Sequence, residues 1–323
     1  MKILTALVLL PICSLGQILP IELKNMPEHK KVEVFVNGKS FTNYIYPSDD
    51  VLKKPVLYPI LSPQGNLVTR GWPFDPREGE RQDHPHHVGL WLNNGNVNGN
   101  DFWNNSNDVD HSKKAYGTIM HTGVKRVKSG KKFGELLVTA DWKGSDDQLL
   151  LKEETRYIFS ATSTARVIER ITTLQAEVPV LFADNKEGMF AIRLAKELEL
   201  PDAKMAYKAT GNYFNDTGIS GSDVWSKRSG WMNLTGTLEN EKVSVAMFDH
   251  PENHNYPANW HARGYGLYAV NNIGAVVFTK GKETSDLELL KGEKVTFKYR
   301  LVIASKHLSE DEMIRYAEQF AKR

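Results

Sequence analysis

Short runs of alternating apolar and polar residues recur along almost the whole chain. A side-chain period of two commits such runs to strands that bury one face and expose the other. Val32-Glu33-Val34-Phe35-Val36 is followed by Asn37-Gly38, a hairpin turn signal. Leu136 to Trp142 ends in the turn-like Lys143-Gly144-Ser145-Asp146, and Thr155 to Phe159 and Arg166 to Ile171 repeat the pattern. Ser244 to Phe248, Gly274 to Thr279 and Val295 to Ile303 continue it. Only the C-terminus reads as a helix. Ser309 can cap it, Glu312 completes a capping box, and Met313, Ile314, Tyr316, Ala317 and Phe320 follow at helical spacing. No internal repeat or Pro/Ser-rich linker divides the chain. The expectation is all-β: one large antiparallel β-sandwich over 17–323 with a short C-terminal helix.

A chain of 323 residues with 41% hydrophobic and 25% charged residues can build a sizeable core and is not a disordered one. Its net charge of +2 lacks the basic excess of a dedicated nucleic-acid binder. At the start, Lys2, the apolar run Ile3 to Cys13 and the small-x-small triplet Ser14-Leu15-Gly16 describe a signal peptide over 1–16. The run is too short for a membrane span of about twenty residues. Cleavage after Gly16 would remove Cys13, the single cysteine, and leave a secreted or periplasmic chain with no disulfide. Lipid anchoring through Cys13 would need a small residue before it, where Ile12 stands.

Eight of the ten histidines fall in two windows: His84, His86, His87, His111 and His121, then His250, His254 and His261. In Gln82-Asp83-His84-Pro85-His86-His87-Val88-Gly89-Leu90-Trp91, Pro85 argues for a loop entering a strand. On a regular strand His84 and His86 would share a face and His87 would oppose them. Three imidazoles with a nearby aspartate can ligate a divalent metal, or can hold a sugar hydroxyl and move protons near neutral pH. No HExxH or facial-triad spacing selects a metal, so the cofactor is either none or a divalent ion on His84, His86 and His87.

A second constellation places Lys186, Glu187 and Arg193 around Gly188. Glu187 could act as acid or base, and Arg193 could clamp a carboxylate or adjacent hydroxyls with its planar fork. The bland alternative is an exposed turn with a solvated ion pair. A third region sets Trp225, Arg228 and Trp231 before Asp249-His250-Pro251-Glu252-Asn253-His254 and Trp260-His261-Ala262-Arg263. Tryptophans among Arg, His, Asp and Asn form a common wall for sugars, with Trp225 and Trp260 as candidate platforms. Asn93 to Asn107 reads as a long polar loop around Asp101-Phe102-Trp103. No phosphate-binding glycine motif, GxSxG elbow or mature cysteine nucleophile occurs.

Taken together, Lys54-Pro55-Val56-Leu57-Tyr58-Pro59, Asp83 to Trp91, Lys186-Glu187-Gly188 with Arg193, Asp249-His250-Pro251 with Asn253, and Trp260-His261-Ala262-Arg263 resemble one bacterial family. It is labelled "methane oxygenase PmoA" and otherwise treated as a domain of unknown function. The resemblance runs from about Val32 to Ile303. It implies a galactose-mutarotase-like supersandwich found in the company of sugar-processing proteins. Methane oxidation is not carried over, because the membrane subunit of that name needs spans that this chain lacks.

These readings converge on a carbohydrate-active enzyme that cleaves a glycosidic bond as hydrolase or lyase. His84, His86, His87 and His121 would line the site, with Glu187 as the second acid or base. Lys186, Arg193 and Arg263 would stabilise negative charge. Asp249, His250, Asn253, His261 and Arg228 would bind substrate, and Trp225 and Trp260 would support the ring. A mutarotase or epimerase, a non-catalytic glycan-binding module and a histidine-ligated metal oxidase are the alternatives.

Overall fold

The computed structural model describes residues 16–202, 204 and 207–323, so 1–15 of the expected signal peptide lie outside the described residues. Two eight-stranded antiparallel sheets pack face to face. In spatial order the first is β1 (Ile21–Met26), β2 (Lys31–Val36), β3 (Lys39–Ile45), β4 (Val56–Ile60), β5 (Leu90–Asn94), β11 (Gly188–Arg193), β16 (Leu267–Asn271) and β15 (Asn259–Ala262). The second starts with β12 (Asn212–Asn215), β13 (Trp231–Leu238), β14 (Glu241–Asp249) and β18 (Lys294–Ala304). It continues through β9 (Ala165–Ala176), β8 (Leu149–Ala161), β7 (Gly134–Lys143) and β6 (Thr118–Lys128). A two-stranded ribbon pairs β10 (Val180–Phe182) with β17 (Leu287–Leu289). The helices are α1 (Ala275–Phe278) and α2 (Glu310–Phe320), and no described helix is long and apolar enough to cross a membrane.

The inner faces interdigitate as the period of two requires. Leu90, Leu92, Phe190, Ile192, Tyr268 and Val270 of the first sheet join Leu136, Val138, Tyr157, Phe159, Leu301 and Ile303 of the second in one apolar core. The all-β sandwich with a short C-terminal helix is thus the observed architecture. The Ser309 hydroxyl accepts from the Glu312 N–H, and the Glu312 carboxylate accepts from the Ser309 N–H, as the capping box predicts. Ser309→Ala should cost about 1 kcal/mol in urea-unfolding stability, and no measurable loss would show that α2 is held by packing alone.

Two expectations about the strands need correction. Gly274 to Thr279 is not a strand, because Ala275–Phe278 forms one helical turn. The Asp184 carboxylate accepts from Val276 N–H and from Ser285 N–H and hydroxyl, which bends this segment back on itself. The expectation of one exposed face fails at Ser244 to Phe248, whose outer side is covered by α2 through Ala246, Phe248, Met313 and Phe320, and in part of the first sheet. Every residue of β5, β11, β15 and β16 is buried, since loops cover the outer face with a second apolar cluster of Val88, Trp91, Trp103, Ala191, Leu267 and Ala269. The polar loop expected around Asp101-Phe102-Trp103 is part of that cover, and Phe102 and Trp103 are buried.

Candidate functional site

The site is built on the covered outer face of the first sheet. Trp91 of β5 stands opposite Ala191 of β11, Ala191 opposite Ala269 of β16, and Ala269 opposite His261 of β15. The two small side chains leave room for the Trp91 and Trp103 rings, whose centroids are 5.3 Å apart. On this apolar layer rests the loop that carries the three histidines. Gly89 returns the loop to the sheet at φ +58°, where a Cβ would lie 2.2 Å from the Leu57 carbonyl oxygen, so only glycine fits.

Arg70 anchors the loop from beneath. Its Nη1 donates to the carbonyl and Oδ1 of Asp83, and its Nη2 donates to the carbonyls of His84 and His87 at 3.0 Å each. Asp83 Oδ1 also accepts from Arg193 Nη2 at 2.7 Å and lies 3.3 Å from His84 Nδ1. Burial alone would raise the Asp83 carboxyl. The His84 hydrogen bond and the Arg193 charge outweigh burial and hold it well below the usual carboxylate range.

Because His84 to His87 form a turn, closed by His87 N–H donating to the His84 carbonyl, all three rings meet. His84 lies parallel to His87 at 4.8 Å and to Tyr265 at 5.4 Å, while His86 meets His87 edge-on at 4.4 Å. His87 is buried between two donors. Trp103 Nε1 donates to its Nε2 at 3.2 Å, and Arg193 Nη1 sits 3.2 Å from its Nδ1. A neutral imidazole has one lone-pair nitrogen, so only one of these donors is served, and a protonated ring would oppose both. Burial first, then the neighbouring positive charges, keep His87 far below its ordinary value. His86 is pushed down to about 2 by burial and by Lys54, and neither of its ring nitrogens has a protein partner. Lys54 is itself buried, donates to the His86 carbonyl at 2.7 Å, and is brought down to about 7 by burial.

The side chains that reach solvent sit above this layer. His84 is exposed, with Nδ1 turned to Asp83 at 3.3 Å. Glu187, half-buried at the start of β11, accepts from Asn104 Nδ2 at 2.6 Å and has Lys186 Nζ at 3.5 Å. His261 donates from Nδ1 to the Lys186 carbonyl at 2.9 Å, so its Nε2 is the acceptor. Burial, with the charges of Lys186 and Arg263, lowers His261 to about 4 and keeps it neutral at physiological pH. Arg263 and Trp225 line an adjoining cleft of about 730 Å³ that reaches Tyr265. Burial raises the Tyr265 phenol, and Asp83 and Glu187 add to this against Arg193 and Arg263.

The structure therefore gathers His84, Lys186, Glu187, Trp225 and Arg263 at the open site with the buried His261 beside them, and sets His86, His87 and Arg193 beneath as support. Several expected members lie elsewhere. His121 belongs to the second sheet, stacked on Tyr46 at 3.9 Å and hydrogen-bonded to Tyr44, in a separate cavity of about 340 Å³. Trp260 faces the inner core and donates to the Ser229 carbonyl, so it offers no platform. Asp249 accepts from Asn253, Asn272 and Ala258 N–H, and Asn253 continues to Lys298, which makes them a buried joint between loops. His250 packs on Phe320, and Arg228 ties Pro257 to Glu283. A three-histidine metal centre does not fit, since both His87 nitrogens face N–H donors. Among the described residues no group of three His, Cys, Asp or Glu side chains is arranged to hold an ion.

Arg70 is not singled out by the sequence, and Lys54 and Asn104 carry no site role there, because each joins the site across long chain separations; Tyr265, two residues from Arg263, carries no polar pattern of its own. Asp83 carried a usable signal, being the carboxylate next to His84.

Residues 31–318 match the model described as "Family of unknown function (DUF6807)", and the chain belongs to that family. No methane-oxygenase description accompanies the match. No curated protein matches the chain. Among solved structures it is similar to the GH36 α-galactosidase AgaB from Geobacillus stearothermophilus, at 10% identity and TM-score 0.41, over 87% of this chain and 40% of that one. A polysaccharide lyase aligns at 11% identity and TM-score 0.32, over 94% of this chain and 35% of that one. An aldose 1-epimerase candidate from Escherichia coli K12 aligns at 10% identity and TM-score 0.32, over 88% of this chain and 99% of that one. The chain thus spans about two fifths of the length of the first solved structures it matches. These likenesses concern the fold alone.

Proposed function

We propose that this member of the DUF6807 family is a carbohydrate-active enzyme that cleaves a glycosidic bond by histidine and carboxylate acid–base chemistry. The observation that carries the reading is the exposed His84, backed by Asp83, in one region with the half-buried Glu187 and the buried, neutral His261. Asp83 backs His84 and can balance the positive charge formed when Nε2 takes a proton. Burial, with the charges of Lys186 and Arg263, keeps His261 neutral, so its Nε2 can accept a hydrogen bond from a hydroxyl. Glu187 is the second acid or base, oriented by Asn104. Tyr265 and Trp225 supply ring faces for the apolar side of a sugar.

In this reading His84 and Glu187 exchange protons with the scissile oxygen and with water or a ring carbon, and His261 orients a hydroxyl. His86, His87, Arg70 and Arg193 hold the loop in place and do not meet substrate. The test is product release from a glycan panel, followed as new reducing ends. His84→Gln and Glu187→Gln should each lower turnover by about 10²–10⁴-fold with the fold intact. Full activity in both variants would remove these residues from the mechanism. Anomer exchange with no new reducing ends would replace cleavage by isomerisation, and saturable binding without product would reduce the protein to a binding module.

A further inference from the structure

The cleft beside the histidine pair contains a cation that the protein does not neutralise. Arg263 sits in the turn between β15 and β16. Its backbone is fixed by its N–H donating to the Leu267 carbonyl at 2.8 Å and its carbonyl accepting from Gly266 N–H at 3.1 Å. The guanidinium forms no ion pair or hydrogen bond among the described residues. It lies over the rings of Trp225 at 5.8 Å and Tyr265 at 5.9 Å. Of the other charges lining the cleft, Arg81 is paired with Glu199 at 3.0 Å, and the exposed Asp202 carboxylate, which accepts from the Lys204 N–H at 2.9 Å, keeps its charge. A second unused donor stands in the same wall, the buried Trp225 Nε1, which has no protein partner. A volume of about 730 Å³ accommodates one or two sugar residues.

We infer that this cleft binds an acidic sugar, a uronic acid residue whose carboxylate lies on the Arg263 fork while its ring rests against Trp225 and Tyr265. The planar fork meets a carboxylate in two parallel hydrogen bonds, and the aromatic rings on which it lies hold it without neutralising it. The inference rests on the carbohydrate reading above and names the class of sugar.

Calorimetric titration with glucuronic and galacturonic acid trisaccharides, alongside their carboxyl-reduced neutral counterparts, tests it. The acidic ligands should bind more tightly than the neutral ones, and their affinity should weaken as salt is raised. Arg263→Ala should cost the acidic ligands about 10- to 100-fold and the neutral ones much less, with Arg263→Lys in between. Arg263 is exposed, so these variants should melt with the parent protein. Equal binding of acidic and neutral ligands, or no binding of the acidic ones, would overturn the inference. Cleavage of neutral glycans in that case would leave the proposed activity standing. Tight Arg263-dependent uronate binding with no product would instead uphold the subsite and reject cleavage.

Discussion

Arg170→Met is expected to destabilise the fold by about 3–5 kcal/mol, the largest single effect we foresee away from the site. Arg170 on β9 and Glu153 on β8 form an ion pair at 2.7 Å inside the sandwich, with both side chains almost fully buried. Glu153 shares its strand face with Leu151, Tyr157 and Phe159 of the main core, so its charge lies within the apolar interior. Its carboxylate is fully engaged, accepting from Trp142 Nε1 at 2.8 Å and from the Thr155 hydroxyl, while Arg170 Nε donates to Thr172. Removing the arginine leaves a buried carboxylate without its counter-charge. Removing both charges does not, and Glu153→Leu with Arg170→Met should fall near the parent or above it. Urea unfolding of both single variants and the double variant measures the coupling. A cost below about 1 kcal/mol for Arg170→Met would mean that water reaches the pair.

Stability should also fall steeply as pH drops below about 6.5, through histidines that the fold keeps neutral. An unfolded histidine takes up a proton near pH 6.5, whereas burial lowers His121 and His261 to about 4 and His86 to about 2. Between those values the unfolded chain binds more protons than the folded one, so stability declines on acidification. Each such histidine contributes about 1.4 kcal/mol per pH unit. His87 acts in the same direction, since its protonated ring would confront Arg193 and Trp103. Asp249 opposes them: burial raises its carboxyl to about 7, so it favours the folded state as pH falls from 7 toward 4. Burial also raises Asp216 and lowers His250, so two opposing carboxyls stand against five histidines and the net slope stays positive. Depressed carboxyls such as Asp83 act only below the ordinary carboxylate range and do not confuse the window. Urea midpoints between pH 7 and pH 5 test this, with His261→Gln expected to reduce the slope by about 1.4 kcal/mol per pH unit. A flat profile would show that the rings take up protons in the folded state.

The strands were legible because their signal is local. Val32 to Val36, Leu136 to Trp142 and Arg166 to Ile171 each carry enough alternation to form a strand whatever they pair with, and Ser309 with Glu312 caps α2 within one turn. The segment at Gly274 misled because its apolar residues suit either structure, and the deciding partner, Asp184, lies far away in the chain. Trp260 and His261 illustrate a sharper limit. In a strand of four residues the parity decides which side chain faces the core, and that parity is set by pairing Trp260 with Val270 and His261 with Ala269. A shift of one residue would exchange their roles, and nothing in the local sequence prevents it.

The histidine motif was equally visible, since three imidazoles around a proline beside an aspartate are rare in any loop. Its meaning was not. Sequence alone determined that this chain forms an antiparallel sandwich with a helical end and that histidines crowd the segment His84 to His87. The tertiary structure alone decided that His87 is a buried neutral support and His84 an exposed ring, that His121 lies in another cavity, and that Arg263 faces a cleft without an ion-pair partner among the described residues. The reason is physical. Strand formation depends on side chains two positions apart, whereas the charge state of an imidazole or guanidinium depends on burial and on partners that β5, β11, β15 and β16 bring together from distant parts of the chain.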